Sequence, residues 1–198
     1  MKLIGLTGGI ASGKTTAAAI LRRLGAAVID ADELSREVVR PGQEAWKEIV
    51  GAFGSLVLQQ DKTLDRKKLR SIVFDDPAAR KKLEAIIHPK VRALAEKKIR
   101  ELEAAGNEII VYEVPLLFEG QLQRWVRPVI MIACDIATQK QRLKERDGLT
   151  DEKAQQHLDA QMSLEEKRRL ADYVVENNGS LNDLERQVKA VLERIKAT

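Results

Sequence analysis

A single cysteine, Cys134, leaves this 198-residue chain with no internal disulfide and no pair of thiolates for a zinc site. Long hydrophobic runs are missing too. The longest near-continuous apolar stretch, Val129 to Cys134, falls far short of the roughly 20 residues that span a bilayer. Met1-Lys2-Leu3-Ile4 runs straight into Gly5, with no apolar region and small-residue cleavage site behind it, so it does not read as a secretory signal. Internal repeats and low-complexity linkers are absent. With 44% apolar and 32% charged residues, disorder is excluded, and a soluble globular protein of the cytoplasm is expected, with no membrane partner. At roughly 150 residues per domain, the length suggests one domain or one with a sizeable insertion. A chain this long buries roughly 70% of its unfolded surface and needs no disulfide or metal to fold.

Segregated blocks of one charge are scarce as well. A net charge of +4 invites a nucleic-acid reading, but basic residues alternate with acidic ones, as in Glu96-Lys97-Lys98-Ile99-Arg100-Glu101. Mixed signs on a helix mark a solvated, ion-paired face rather than a phosphate track, so no nucleic-acid partner is expected. A modest positive excess suits a protein that binds small polyanions.

What is present is a strand–helix alternation. Leu3 to Thr7 is a short apolar run stopped by Gly8-Gly9, as in a buried parallel strand. Ala17, Ile20, Leu21 and Leu24 then recur at helical spacing until Gly25 caps the helix, and Ala26 to Ile29 forms a second strand ending in Asp30-Ala31-Asp32. From Arg40 to Gly106 only helices are expected. Asp76-Pro77 reads as an N-cap with proline at the first helical position, and His88-Pro89 is expected to break the following helix. Strands return at Ile109–Val114, Val129–Ala133 and Tyr173–Val175, with charged helices between the last two and an amphipathic helix through Leu184, Val188, Val191, Leu192 and Ile195. This order predicts an α/β fold with a five-stranded parallel sheet and helices on both faces.

Gly8-Gly9-Ile10-Ala11-Ser12-Gly13-Lys14-Thr15 fits G-x-x-x-x-G-K-[ST], a phosphate-binding loop. Its glycines let backbone N–H groups turn inward around phosphate oxygens at a helix N-terminus. Lys14 is expected to reach the β- and γ-phosphates, and the Thr15 hydroxyl to bind Mg²⁺. The D-x-x-G and N-K-x-D strings of a GTPase do not occur. Asp30-Ala31-Asp32 stands instead at the carboxyl end of the second strand, where ligands of open α/β sheets bind, with Arg36 one helical turn beyond. A carboxylate there can accept the proton of an attacking hydroxyl; an N-cap for the segment from Glu33 is the plainer role for Asp32, and the two can coexist. Asp30 is read as a cap or a contact to metal-bound water.

The string Leu6 to Thr15, with Asp30-Ala31-Asp32 and Arg36, resembles dephospho-coenzyme A kinases. Ile87-His88-Pro89, Val114 to Glu119, Arg146-Asp147, Ala171-Asp172 and Asn177-Asn178-Gly179 extend the resemblance, in order, over essentially the whole chain. It implies a P-loop NTPase three-layer fold that transfers the ATP γ-phosphate to the ribose 3′-hydroxyl of dephospho-CoA, the last step of coenzyme A synthesis. ATP is the implied co-substrate, Mg²⁺ the implied metal, and a monomer or weak homo-oligomer the expected state. The implied domains are a nucleotide-binding core (1–39, 107–137 and 172–198), a helical CoA-binding domain (40–106) and a lid with adjoining helices (138–171).

By position, the resemblance makes Asp32 the general base, with Lys14 and Arg146 acting on the phosphates. Gly9, Ile10, Ala11, Ser12, Gly13, Lys14, Thr15, Thr16, Arg142 and Asn178 would hold the nucleotide. Arg36, His88, Pro115 and Leu116 would join Asp32 around the acceptor. Arg142 and Arg146 share one helix face, which a solvated surface would also explain. The segment Asn177 to Gly179 would lie beside the adenine, with a plain turn as its alternative, and the plainer reading of His88 is a capped helix end. Two positions depart from the family pattern. Glu113 stands where relatives often carry Asp or an apolar residue, and His157 precedes Gln161 where an arginine is usual. The competing readings are another small-molecule P-loop kinase, acting on a nucleoside monophosphate or a polyol, and a nucleotide-dependent RNA-binding module.

Overall fold

A computed structural model describes residues 1–74 and 76–198. Five strands form one parallel sheet: β1 (Lys2–Gly8), β2 (Ala27–Asp30), β3 (Ile109–Glu113), β4 (Val129–Ala133) and β5 (Tyr173–Glu176), in the order β2-β3-β1-β4-β5. Lys2 pairs with Ile109 and Leu6 with Glu113 on one side of β1, and Gly5 with Val129 and Gly8 with Ile132 on the other. Every residue of β3 and β4 is buried, which is why these strands read as unbroken apolar runs rather than alternating ones. Because β3 and β4 flank β1 on opposite sides, chain connections diverge at the end of β1, the place where open α/β sheets take their ligands.

The described residues divide into two compact units, Met1–Ile29 with Leu102–Thr198, and Asp30–Glu101. In the first, α1 (Lys14–Arg23) and α9 (Leu181–Ala197) cover one sheet face. Ala17, Ile20 and Leu21 meet Leu184, Val188 and Leu192 over Ile4, Leu6, Ile130 and Ile132. Gly25, at φ 90°, ends α1 as its glycine predicts. Between β4 and β5 lie α6 (Ile136–Asp147), α7 (Asp151–Asp159) and α8 (Leu164–Leu170). Gly148 closes α6 in the left-handed region, Thr150 caps α7, and Ser163 with Glu166 forms a capping box on α8.

The second unit is helical, as the sequence predicts: α2 (Ala31–Glu37), α3 (Glu44–Phe53), α4 (Arg66–Phe74) and most of α5 (Pro77–Ala104). Its core gathers Val38, Val39, Ala45, Ile49, Val57, Leu64 and Leu69. Asp76 starts α5 as expected, its Oδ1 accepting from the N–H groups of Ala78 and Ala79 at 2.8 and 2.9 Å. The break expected at His88-Pro89 does not occur. α5 runs through Pro89, and His88 lies exposed on its surface rather than at a helix end. Proline forfeits one intrahelical hydrogen bond, but Leu83, Ile86 and Ile87 before it and Val91 and Leu94 after it pack on the same core, and that burial holds the two halves in one helix.

Candidate active site

The glycine loop leaves β1 and enters α1 through Gly13, whose φ of 93° is a left-handed geometry open to glycine at little cost. A Cβ built there would lie 2.1 Å from Asn177 Nδ2, so a side chain would displace that amide in addition to straining the backbone. The first amide that α1 satisfies within itself is that of Ala17, bonded to Gly13 O at 3.1 Å. The amides of Lys14, Thr15 and Thr16 are thereby left at the positive end of the helix dipole, where an anion completes them.

Four side chains from the C-terminal half brace this loop. Gln139 Nε2 donates to Ile10 O at 2.7 Å, and Gln161 Oε1 accepts from Ile10 N at 3.2 Å. Asn177 Nδ2 donates to Ser12 O at 2.7 Å. Arg142 reaches the Ala11 and Ser12 carbonyls, both at 3.4 Å, and Asn177 O at 3.1 Å. These bonds tie the carbonyls of Ile10, Ala11 and Ser12 to side chains outside the loop. The Ser12 side chain is 1% exposed and its Oγ has no protein partner, a buried polar atom in the cradle that a ligand oxygen could satisfy.

Lys14, the first residue of α1, is ion-paired with Glu113 at the end of β3. Glu113 is 2% exposed, so the pair is largely withdrawn from water. The sequence gives no hint of Gln139; Glu113 and Gln161 stand out there only at departures from the family pattern, and Asn177 only as part of a segment near the nucleotide, none of them with the partner seen here. At the end of β4, Cys134 is fully buried, and burial pushes its thiol up to about 11. Beside it the Asp135 carboxylate caps α6, and the Thr138 N–H it accepts, at 2.7 Å, holds its pKa below the usual carboxylate value.

The remaining expected residues are spread out. Arg146 is 61% exposed in its side chain and forms a two-pronged pair with Asp147 at 2.9 and 2.7 Å, unlike half-buried Arg142 one turn earlier. Asn178 Oδ1 accepts from Asp135 N at 2.9 Å, while its neighbour Asn177 reaches the loop. Pro115 O accepts from the Thr7 hydroxyl at 3.2 Å, and Leu116 is 48% exposed. Thr15 and Thr16 are exposed.

In the helical unit, Asp30 caps α2, its Oδ1 accepting from Asp32 N at 2.7 Å and Glu33 N at 3.4 Å. The capping role weighed for Asp32 therefore belongs to Asp30. The exposed Asp32 carboxylate has no partner among the described residues and is free to act on a ligand. Arg36 lies exposed on the same helix.

Among the described residues, no group of three or more His, Cys, Asp or Glu could hold a metal. No described helix is long and apolar enough to cross a membrane.

Comparison with known proteins agrees with this geometry. The family model described as dephospho-CoA kinase matches residues 2–183. A dephospho-CoA kinase of Geobacillus kaustophilus is 49% identical over 193 residues, covering 96% of this chain and 95% of that protein. A crystal structure of a Thermus thermophilus protein superposes with a TM-score of 0.83 at 38% identity, covering 98% and 97% of the two chains. Dephospho-CoA kinase from Campylobacter jejuni gives 0.73 at 33% identity, covering 98% of each. With a braced phosphate loop on the predicted sheet and relatives of this similarity along its length, the chain belongs to the dephospho-CoA kinase family.

Proposed function

We infer that this protein is an ATP-dependent kinase that phosphorylates dephospho-CoA to coenzyme A, releasing ADP. Family membership favours this reaction over a nucleoside monophosphate or polyol kinase, and the interspersed charges leave an RNA-binding module without support. The observation that carries the catalytic reading is the loop itself: three unsatisfied helix amides and Lys14 converge where a polyphosphate binds, braced from behind by Gln139, Arg142, Gln161 and Asn177.

In the proposed reaction, Gly9 to Thr16 wrap the triphosphate and Lys14 moves from Glu113 to the β- and γ-phosphates. The ammonium then neutralises charge that develops as the bond to the leaving ADP breaks. Mg²⁺ bound to the ATP phosphates would supply further charge neutralisation, with the Thr15 hydroxyl and the Glu113 carboxylate as the oxygens able to hold it. Asp32 accepts the proton of the ribose 3′-hydroxyl and orients its oxygen for in-line attack. The support for that role is a carboxylate relieved of capping by Asp30. Arg142 and Asn178 serve the nucleotide, Arg146 closes with residues 138–171 over it, and Arg36, His88, Pro115 and Leu116 serve the acceptor, with residues 40–106 as the CoA-binding domain. The enzyme works in the cytoplasm, as a monomer or weak homo-oligomer.

The test is the position of the transferred phosphate. Incubation with Mg-ATP and dephospho-CoA, followed by phosphorus NMR of the product, should show a new phosphomonoester on the ribose 3′-oxygen. No transfer, or transfer to another hydroxyl, contradicts the reading.

A further inference from the structure

Lys167, in α8, is 1% exposed, and the reaction proposed above makes no use of it. Burying an ammonium is costly unless a counter-charge meets it. Lys167 Nζ lies 2.8 Å from Glu119 Oε1, and among the described residues it has no other hydrogen-bond acceptor. Apolar residues of similar volume often serve stability as well as a buried ion pair does. The fold alone therefore does not account for these two charges.

Glu119 stands on a fixed footing. Leu117 and Phe118, just before it, are buried, and the Leu122 N–H donates back to Leu117 O at 2.9 Å. The oxygen of Glu119 that meets Lys167 also accepts from the Met162 N–H, at 3.1 Å. One residue earlier, Gln161 Oε1 accepts from Ile10 N at 3.2 Å. Neighbouring Cα atoms lie only about 3.8 Å apart, so a shift of Met162 is passed directly to Gln161. Ile10 O is held in turn by Gln139 at 2.7 Å, so side chains hold both backbone polar groups of this loop residue. A continuous series of contacts thus runs from Lys167 through Glu119, Met162 and Gln161 to the phosphate loop.

We propose that Glu119, held by Lys167, is a positioning residue for ATP. It pins Met162 so that Gln161 keeps the Ile10 amide, and with it the phosphate loop, in the form that takes the triphosphate. Both charged residues act through Gln161 rather than on the nucleotide. This rests on the reading of the loop as the ATP site and adds which remote groups set its shape.

Titration calorimetry with Mg-ATP on the full-length protein, in the absence of acceptor, tests this with three variants. Gln161→Ala removes the bond to Ile10, Glu119→Leu/Lys167→Met removes the pin without leaving a buried charge, and a third combines all three substitutions. Gln161→Ala and the pin variant should each raise Kd for ATP about three- to tenfold, the worth of one hydrogen bond. The combined variant should bind no more weakly than Gln161→Ala alone, because both changes break one series of contacts. In steady state, KM for dephospho-CoA should stay within twofold. Melting temperatures report folding; should Glu119→Leu/Lys167→Met fail to fold, Glu119→Asp replaces it with the same expectation, since it keeps a counter-charge for Lys167 but shortens the reach to Met162. Wild-type ATP affinity in Gln161→Ala or in the folded pin variant overturns the proposal. So do effects that multiply in the combined variant, or a KM for dephospho-CoA that rises as much as Kd for ATP. A wild-type protein that binds Mg-ATP but does not phosphorylate dephospho-CoA overturns the functional reading, and the Kd values still decide the proposal. No binding of Mg-ATP overturns both.

Discussion

Lys14 and Glu113 form an ion pair, one at the start of α1 and the other at the end of β3. The pair gives each of two largely buried charges its counter-charge. It also predicts a dual penalty. Lys14→Met should lower the rate of phosphoryl transfer by about 10²-fold or more, the scale of losing one electrostatic donor to the transition state. It should also leave Glu113 buried without a counter-charge and destabilise the free protein by about 3–5 kcal/mol. Urea denaturation and single-turnover assays on the same preparation read the two effects. Normal turnover by the variant would remove Lys14 from the reaction.

Asp30 caps α2, and Asp32, two residues on, is the proposed base. Asp30→Ala removes the cap of α2 and should cost about 1 kcal/mol of stability. Asp32→Asn removes no structural bond, so melting should barely change, while kcat falls by about 10²- to 10⁴-fold with ATP binding preserved. A loose transition state places the loss toward the lower end of that range. An Asp32→Asn protein that melts early but transfers phosphate normally would reverse the two assignments.

The bracing of the loop from behind makes a prediction about remote residues. Asn177→Ala takes away the donor to Ser12 O and should raise KM for ATP more than it changes KM for the acceptor. Gly13→Ala should be the harsher change, because the new methyl meets Asn177 and the backbone is strained as well. Combining Gly13→Ala with Asn177→Ala should recover part of the lost stability. Strict additivity in that double-mutant cycle would show that the two residues do not press on each other.

Cys134 carries the clearest pH signature. Burial raises its thiol from 9.0 to about 11, so the neutral form is favoured in the folded state. A group whose folded pKa is raised stabilises fully below its unfolded value and loses that contribution as pH climbs through the folded one. Wild-type stability should therefore fall more steeply between about pH 9 and 11 than that of Cys134→Ala. Native protein should also resist thiol alkylation at neutral pH. Rapid labelling there would show the site to be open.

The sheet was legible because parallel strands buried on both faces must be apolar throughout and because glycines and prolines punctuate them. The phosphate loop was legible because its geometry demands glycine at fixed places. Pro89 misled for a physical reason: local chain stiffness predicts a break, and the apolar residues on either side outweigh it through packing that only the folded unit shows. Gln139 and Asn177 were illegible as braces because each reaches the loop from more than 100 residues away, and an isolated glutamine or asparagine carries no mark of its partner. Asp32 stood out at once, but only the bonds of Asp30 show that its carboxylate is spare.

An acceptor panel tests the assigned reaction. Purified protein with Mg-ATP is offered dephospho-CoA, AMP, CMP, shikimate and gluconate under identical conditions, and kcat/KM is compared. Dephospho-CoA should be preferred over each of the others by about 10³-fold or more, as expected of a site whose polar groups go unpaired with the wrong ligand. A higher kcat/KM for any other acceptor would leave the fold and the phosphate loop as described and contradict the assigned reaction.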